Sequence, residues 1–151
     1  MKIKRITEVG VVVKNLEKAT AVFVELLGAR AGEIIIVKRY QMRYRMCRLG
    51  QVDFELMEPL GAKGLIANYL ENKGEGLHHI AFGVDNLADG FNSLKKKGVK
   101  FVDSEIQEMS GESIDMQGNS IKGVSKLVFA HPAFFSGVLL EFIEYPEKFK
   151  F

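Results

Sequence analysis

The chain repeats itself, and an internal repeat limits the architecture more than any single residue does. EVGVVVKNLEKA, from Glu8, aligns with HIAFGVDNLADG, from His79, at a shift of 79 − 8 = 71 residues. Val13 then meets Val84, Asn15 meets Asn86 and Leu16 meets Leu87. Both copies start with strand-like text and pass through Asn, a favoured helix N-cap, into an amphipathic helix. The first helix carries an apolar stripe at Leu16, Ala19, Val22, Phe23, Leu26 and Leu27 and stops at Gly28. The second runs from Leu87 to Lys97, with Leu87, Phe91 and Leu94 on one face and Gly98 after it. A further echo sets FELMEP, from Phe54, on LEFIEYP, from Leu140, so that Glu55 meets Glu141 at 141 − 55 = 86. The second half is therefore longer by 86 − 71 = 15 residues between its matching points. The extra length falls in Ser104 to Ser125, whose Ser, Gly and acidic content reads as a loop or lid.

Between the echoes, GEIIIVKRYQMRYRMCRL and QVDFELME read as strands in the first half, and VKFVDSEI, SKLVFAHP and GVLLEFIEY in the second. Each half is then strand, helix and three more strands, and GLIANYLENKG reads as a short bridging helix. The expected class is α+β: two βαβββ modules, about residues 5–60 and 76–146, interlocked in a single domain over 1–151. A chain of 151 residues suits one such domain. With 47% hydrophobic and 26% charged residues and no bilayer-length apolar run, the composition points to a soluble protein. MKIKRITEVG turns directly into alternating text without the apolar stretch of a signal peptide, so a cytoplasmic location is the expectation. A net charge of +2, from 21 basic and 19 acidic residues, argues against a nucleic-acid partner. One cysteine, Cys47, excludes an internal disulfide and a multi-cysteine zinc site, and reads as structural.

Strand alternation assigns faces. Glu8, Gly10 and Val12 share one face, as do His79, Ala81 and Gly83, while the bulky residues between them turn toward the helices. Glu55 lies with Met57, and Glu141 with Ile143. If the strands lie side by side, Glu8, Glu55, His79 and Glu141 converge from repeat-matched positions on a face lined by small residues, as a cavity wall requires. Three carboxylates and an imidazole form a plausible site for a divalent cation. Without one, the carboxylates would repel and at least one would hold its proton.

At these residues the sequence resembles the vicinal oxygen chelate superfamily, which includes glyoxalase I, extradiol dioxygenases, bleomycin-resistance proteins and methylmalonyl-CoA epimerases. The resemblance spans nearly the whole chain. It is nearest to the epimerases, through ELMEPLGAKGLIANYLENKGEGLHHIAFGVDNL (Glu55 to Leu87) and HPAFFSGVLLEF (His131 to Phe142). It implies a mixed eight-stranded, partly open barrel around a central cavity, metal-ligand roles for Glu55, His79 and Glu141, and a homodimer. Three departures stand out. Glu8 replaces the usual first histidine ligand, Ala133 replaces the lysine of HPK, and the strand text YQMRYRM offers Gln41 and Tyr44 where epimerases place a catalytic Glu.

The expected activity is metal-dependent removal of a proton α to a chelated carbonyl or thioester, giving epimerisation or isomerisation. Glu141 is the expected base, and Glu55, Tyr44 or water returns the proton. An oxygen-rich shell favours harder ions such as Mn²⁺ or Mg²⁺ over Zn²⁺, with Co²⁺ and Ni²⁺ also open. The substrate is expected to be a small molecule, an acyl-CoA or other anionic thioester, whose anionic tail the basic strand Lys38 to Arg45 would hold. Glyoxalase-type lyase activity and metal-free sequestration of a small ligand are the alternatives.

Overall fold

The computed structural model describes residues 1–151. It contains eight strands and three α-helices, an α+β architecture: β1 (Lys2–Val12), α1 (Leu16–Leu27), β2 (Arg30–Val37), β3 (Met42–Leu49), β4 (Val52–Pro59), α2 (Leu65–Lys73), β5 (Gly76–Asp85), α3 (Leu87–Lys96), β6 (Gln107–Ile114), β7 (Ser120–Ala130) and β8 (Leu140–Glu144). The chain divides into two compact units, residues 8–78 and residues 1–7 with 79–151, so the border falls inside β1. No helix is long and apolar enough to cross a membrane.

In residues 8–78 the strands run in the order β2-β3-β4-β1, with β1 parallel to β4 and the other pairs antiparallel. Asn15 starts α1 by accepting from the Lys18 N–H at 2.8 Å, and Gly28, at φ 69°, closes it as the left-handed cap. The helix covers one sheet face, where Val13, Leu16, Ala29, Cys47 and Leu56 form a core flanked by Ala19 and Phe23. The apolar stripe expected on α1 is only half buried. Thr20 is covered, whereas Val22, Leu26 and Leu27 are 50%, 75% and 56% exposed. The face turned inward follows the i, i+3, i+4, i+7 spacing of Leu16, Ala19, Thr20 and Phe23, and a stripe through Val22 and Leu26 spreads round a second side. Burial pushes the Cys47 thiol upward, with Arg45 and Thr20 only partly opposing it, as suits a structural cysteine. The run GEIIIVKRYQMRYRMCRL is a hairpin: β2, a 3₁₀ turn over Lys38–Tyr40 with Gln41 left-handed at φ 50°, and β3. On the opposite face α2 adds Ile66 to a core of Val12, Met42 and Met57.

In the other unit the order is β5-β8-β7-β6, with β5 parallel to β8. α3 covers a core of Val84, Leu87, Phe91, Val128, Ala130 and Phe142. Asn86 does not cap α3 with its side chain; it sits left-handed at φ 54°, and the Leu87 N–H donates instead to Glu144 Oε2 at 2.6 Å. Residues 1–7 are tied in by the Lys2 N–H to Asp85 Oδ1 at 2.7 Å, Lys4 Nζ to Asp85 Oδ2 at 2.9 Å and Thr7 Oγ1 to the Ala81 carbonyl at 3.5 Å.

Ser104 to Ser125 is not a loop. It holds β6, a turn and the start of β7, paired from Gln107↔Leu127 to Ile114↔Ser120. VKFVDSEI, expected as a strand, makes a single bridge at Phe101↔Ala130, and Phe101 packs its ring on Phe91 at 4.6 Å. The two segments exchanged signals for one physical reason. The stretch that lies over the core carries apolar residues with only one bridge of pairing, whereas most of β6 is exposed on both faces and shows no alternation.

The β6–β7 turn is organised by Asp115, which is fully buried. Its Oδ1 accepts from the N–H groups of Gln117 and Asn119 at 2.9 and 2.8 Å, and its Oδ2 from Asn119 Nδ2 at 3.1 Å. Burial alone would raise this carboxyl, but the Asn119 and Gln117 donors, with Lys150 nearby, hold it below its ordinary value. The unfolded chain thus takes up the proton at higher pH than the folded one. The turn's contribution is complete above the ordinary Asp value of about 3.9 and is lost as pH falls through the lower folded value. Acid titration followed by amide exchange at Gln117 and Asn119 is expected to show loss of protection below about pH 4, and Asp115→Asn is expected to remove that step.

Candidate functional site

β5 and β8 build the first half of the site. Their parallel register sets Ala81 opposite Glu141 and Gly83 opposite Ile143, so His79 stands one same-face step before the residue that faces Glu141. His79 and Glu141 are 3% and 6% exposed, and His79 Nε2 lies 3.3 Å from Glu141 Oε2. β7 places Phe129 opposite Glu141, and its ring meets the His79 imidazole edge-on at 5.5 Å and 86°. Backbone parity and aromatic packing together fix the imidazole against the carboxylate.

β1 and β4 repeat that arrangement in residues 8–78. Gly10 is opposite Glu55, so Glu8 stands one same-face step before the residue that faces Glu55. The offset between Glu8 and Glu55 is thus the offset between His79 and Glu141. β3 sets Met46 opposite Glu55 and Tyr44 opposite Met57, so Tyr44 is on the face of Glu55, one row further along, packed with Val12, Met42 and Met57.

The small-residue wall expected on β5 takes a different form. A Cβ at Gly83 would lie 2.2 Å from Phe151 Cε1 and 2.9 Å from Thr7 Cγ2, so the space is already taken. The basic stretch spans the 3₁₀ turn at Lys38–Tyr40 as well as the start of β3. Arg43 donates to Glu17 at 2.7 and 2.9 Å and to Glu58 from Nε at 2.6 Å, with Nη2 also 2.5 Å from Glu58 Oε2, which commits its guanidinium to internal pairs. Lys38 lines a hollow of about 260 Å³ with Gln41, Leu60 and Gly61, and this hollow does not include Glu8 or Glu55.

One pair escaped the sequence reading. Arg48, 9% exposed, donates through Nε and Nη2 to both carboxylate oxygens of Asp53, each at 2.5 Å. Register places Asp53 beside Glu8 on β1 and Arg48 on β3, so Glu8, Asp53 and Arg48 form one row across three strands. The signal was present in RLGQVD, where opposite charges flank a two-residue turn at Gly50.

Two βαβββ units carrying equivalent side-chain pairs on equivalent strands define a class of duplicated, paired-module proteins. The sequence profile of the Glyoxalase/Bleomycin resistance protein/Dioxygenase superfamily matches residues 7–115. The chain belongs to this vicinal oxygen chelate superfamily. It is 33% identical over 138 residues to the mitochondrial methylmalonyl-CoA epimerase of Homo sapiens, covering 91% of this chain and 72% of the relative. It is 30% identical over 141 residues to the ethylmalonyl-CoA/methylmalonyl-CoA epimerase of Cereibacter sphaeroides, covering 92% and 96%. In fold it is similar to the crystal structure of methylmalonyl-CoA epimerase from Mycobacterium tuberculosis, with a TM-score of 0.80 at 24% identity over 97% of this chain and 91% of that one.

Proposed function

We propose that the protein is a metal-dependent epimerase acting on an acyl-CoA thioester of the methylmalonyl-CoA type. The observation that carries this reading is the repeated diagonal pair, Glu8 with Glu55 and His79 with Glu141. The relatives named as epimerases support the substrate class.

One pair has the spacing a divalent cation requires, although no group of three or more His, Cys, Asp or Glu side chains stands close enough together to hold one. Ligand atoms about 2.0–2.2 Å from one ion lie roughly 2.8–3.6 Å from their neighbours in the shell, and His79 Nε2 and Glu141 Oε2 are 3.3 Å apart. His79 and Glu141 would contribute to holding the ion, and Glu8 and Glu55, the equivalent pair in residues 8–78, are the other proposed ligands. Its oxygen-rich shell suits Mn²⁺ or Mg²⁺ better than Zn²⁺. When bound, the ion would polarise the substrate carbonyl and make the adjacent C–H more acidic.

The chain's own groups do the rest. Glu141 takes the α-proton as general base, and Glu55, the Tyr44 hydroxyl or water returns a proton. The Phe129 ring beside His79 keeps one side of the pair apolar, which strengthens the electrostatics there. The residue opposite Glu55 is Met46, which has no proton to give, and Tyr44 stands in the next row.

Elemental analysis of the purified protein, before and after incubation with Mn²⁺, Co²⁺, Ni²⁺ or Zn²⁺, tests the reading. One ion per chain is expected, with loss in His79→Ala and weakened retention in Glu8→Ala. Wild type that takes up no stoichiometric metal under any of these conditions would sink it.

A further inference from the structure

The face of β5 that carries His79 is closed one row beyond Glu141 by an aromatic ring. Glu141 lies in the row of Ala81, and the next row holds Gly83 and Ile143. Phe151 rests on the bare backbone of Gly83, with Cε1 at 2.2 Å and Cζ at 3.0 Å from where a Cβ would stand. The ring does not hang free. The Met116 N–H donates to the Lys150 carbonyl at 3.0 Å and the Phe149 N–H to the Pro146 carbonyl at 2.8 Å. Phe151 meets Phe149 at 5.2 Å and Tyr145 at 5.9 Å, both steeply inclined, while Tyr145 and Phe149 stack at 4.0 Å. Phe149 is itself buried.

Successive same-face rows along a strand are separated by roughly 6.6 Å. A carbon from which Glu141 takes a proton lies about 3–3.5 Å from it at reaction. A substituent on that carbon directed along β5 therefore has space for one or two further carbons before it reaches the ring. We infer that Phe151, seated on Gly83, is a specificity-determining residue that limits the length of the α-substituent of the thioester. The inference rests on the proposed epimerase reading and adds to it a size limit set by a residue outside the metal-ligand set. Gly83 follows from the same geometry, since any side chain there would displace the ring.

The test compares wild type, Phe151→Leu and Phe151→Ala on methylmalonyl-, ethylmalonyl- and butylmalonyl-CoA. It reads both the rate of α-proton exchange with deuterium and the binding constant of each thioester. A methylene refused by an apolar pocket changes selectivity by roughly 10- to 200-fold. Wild type is expected to favour methylmalonyl- over butylmalonyl-CoA by at least about tenfold. Phe151→Ala is expected to bring the two within about threefold, and Phe151→Leu to fall between, with methylmalonyl-CoA itself little changed. An unchanged ratio in Phe151→Ala, with exchange of methylmalonyl-CoA intact, overturns the size limit and leaves the epimerase reading standing. Absence of exchange with every thioester in wild type overturns the epimerase reading, and the size limit falls with it.

Discussion

Replacing Glu141 by Gln is expected to slow exchange of the α-proton of methylmalonyl-CoA with solvent deuterium by about 10²- to 10⁴-fold, the usual contribution of a positioned general base. The substitution keeps the shape of a side chain that is 6% exposed and faces His79 at 3.3 Å, so the fold is expected to persist. Proton NMR of the α-position reads the exchange, and a thermal melt checks that the variant is folded. The amide remains able to offer an oxygen to a cation but cannot accept a proton at useful strength, so metal content is expected to fall less than rate. Exchange within threefold of wild type would remove Glu141 from the chemistry. Equal losses of metal and rate would make it a ligand without a role as base.

The second large effect belongs to stability. Arg48→Met leaves the Asp53 carboxylate in a largely covered place without its two short donors. Breaking a buried ion pair from one side costs about 3–5 kcal/mol, and Asp53 also lies beside Glu8 in the register. Like charges side by side across strands add to the loss. Urea denaturation is expected to show a midpoint lowered at unchanged slope. Pairing Arg48→Met with Asp53→Leu is expected to recover most of the loss, because an apolar pair of similar volume often replaces a buried ion pair without penalty. A single substitution that costs less than about 1 kcal/mol would place this bridge with exposed pairs, whose worth is small.

Much of the fold was legible because its signals were local and periodic. The 71-residue shift located both β–α starts, and Asn15 and Gly28 cap α1 as their chemistry predicts. Parity on β1, β4, β5 and β8 put Glu8 with Gly10, Glu55 with Met57, His79 with Ala81 and Glu141 with Ile143, and the registers agree. What the sequence hid were features made by tertiary contact. Asn86 looked like Asn15, but Glu144, 57 residues past Leu87, supplies the cap. β6 stayed invisible because exposure on both faces erases alternation, and Phe101 imitated a strand because it covers Phe91. Gly83 read as cavity wall because nothing in its own neighbourhood announces a ring from residue 151.

The border inside β1 also sets an order of synthesis. Every partner that β1 to β4 use within residues 8–78 exists once residue 78 has been made. Residues 1–7, although made before residues 8–78, acquire their hydrogen-bond partners only when Ala81 and Asp85 follow. This earlier-made segment is thus completed late, as a long-range contact whose loop must close across all of residues 8–78.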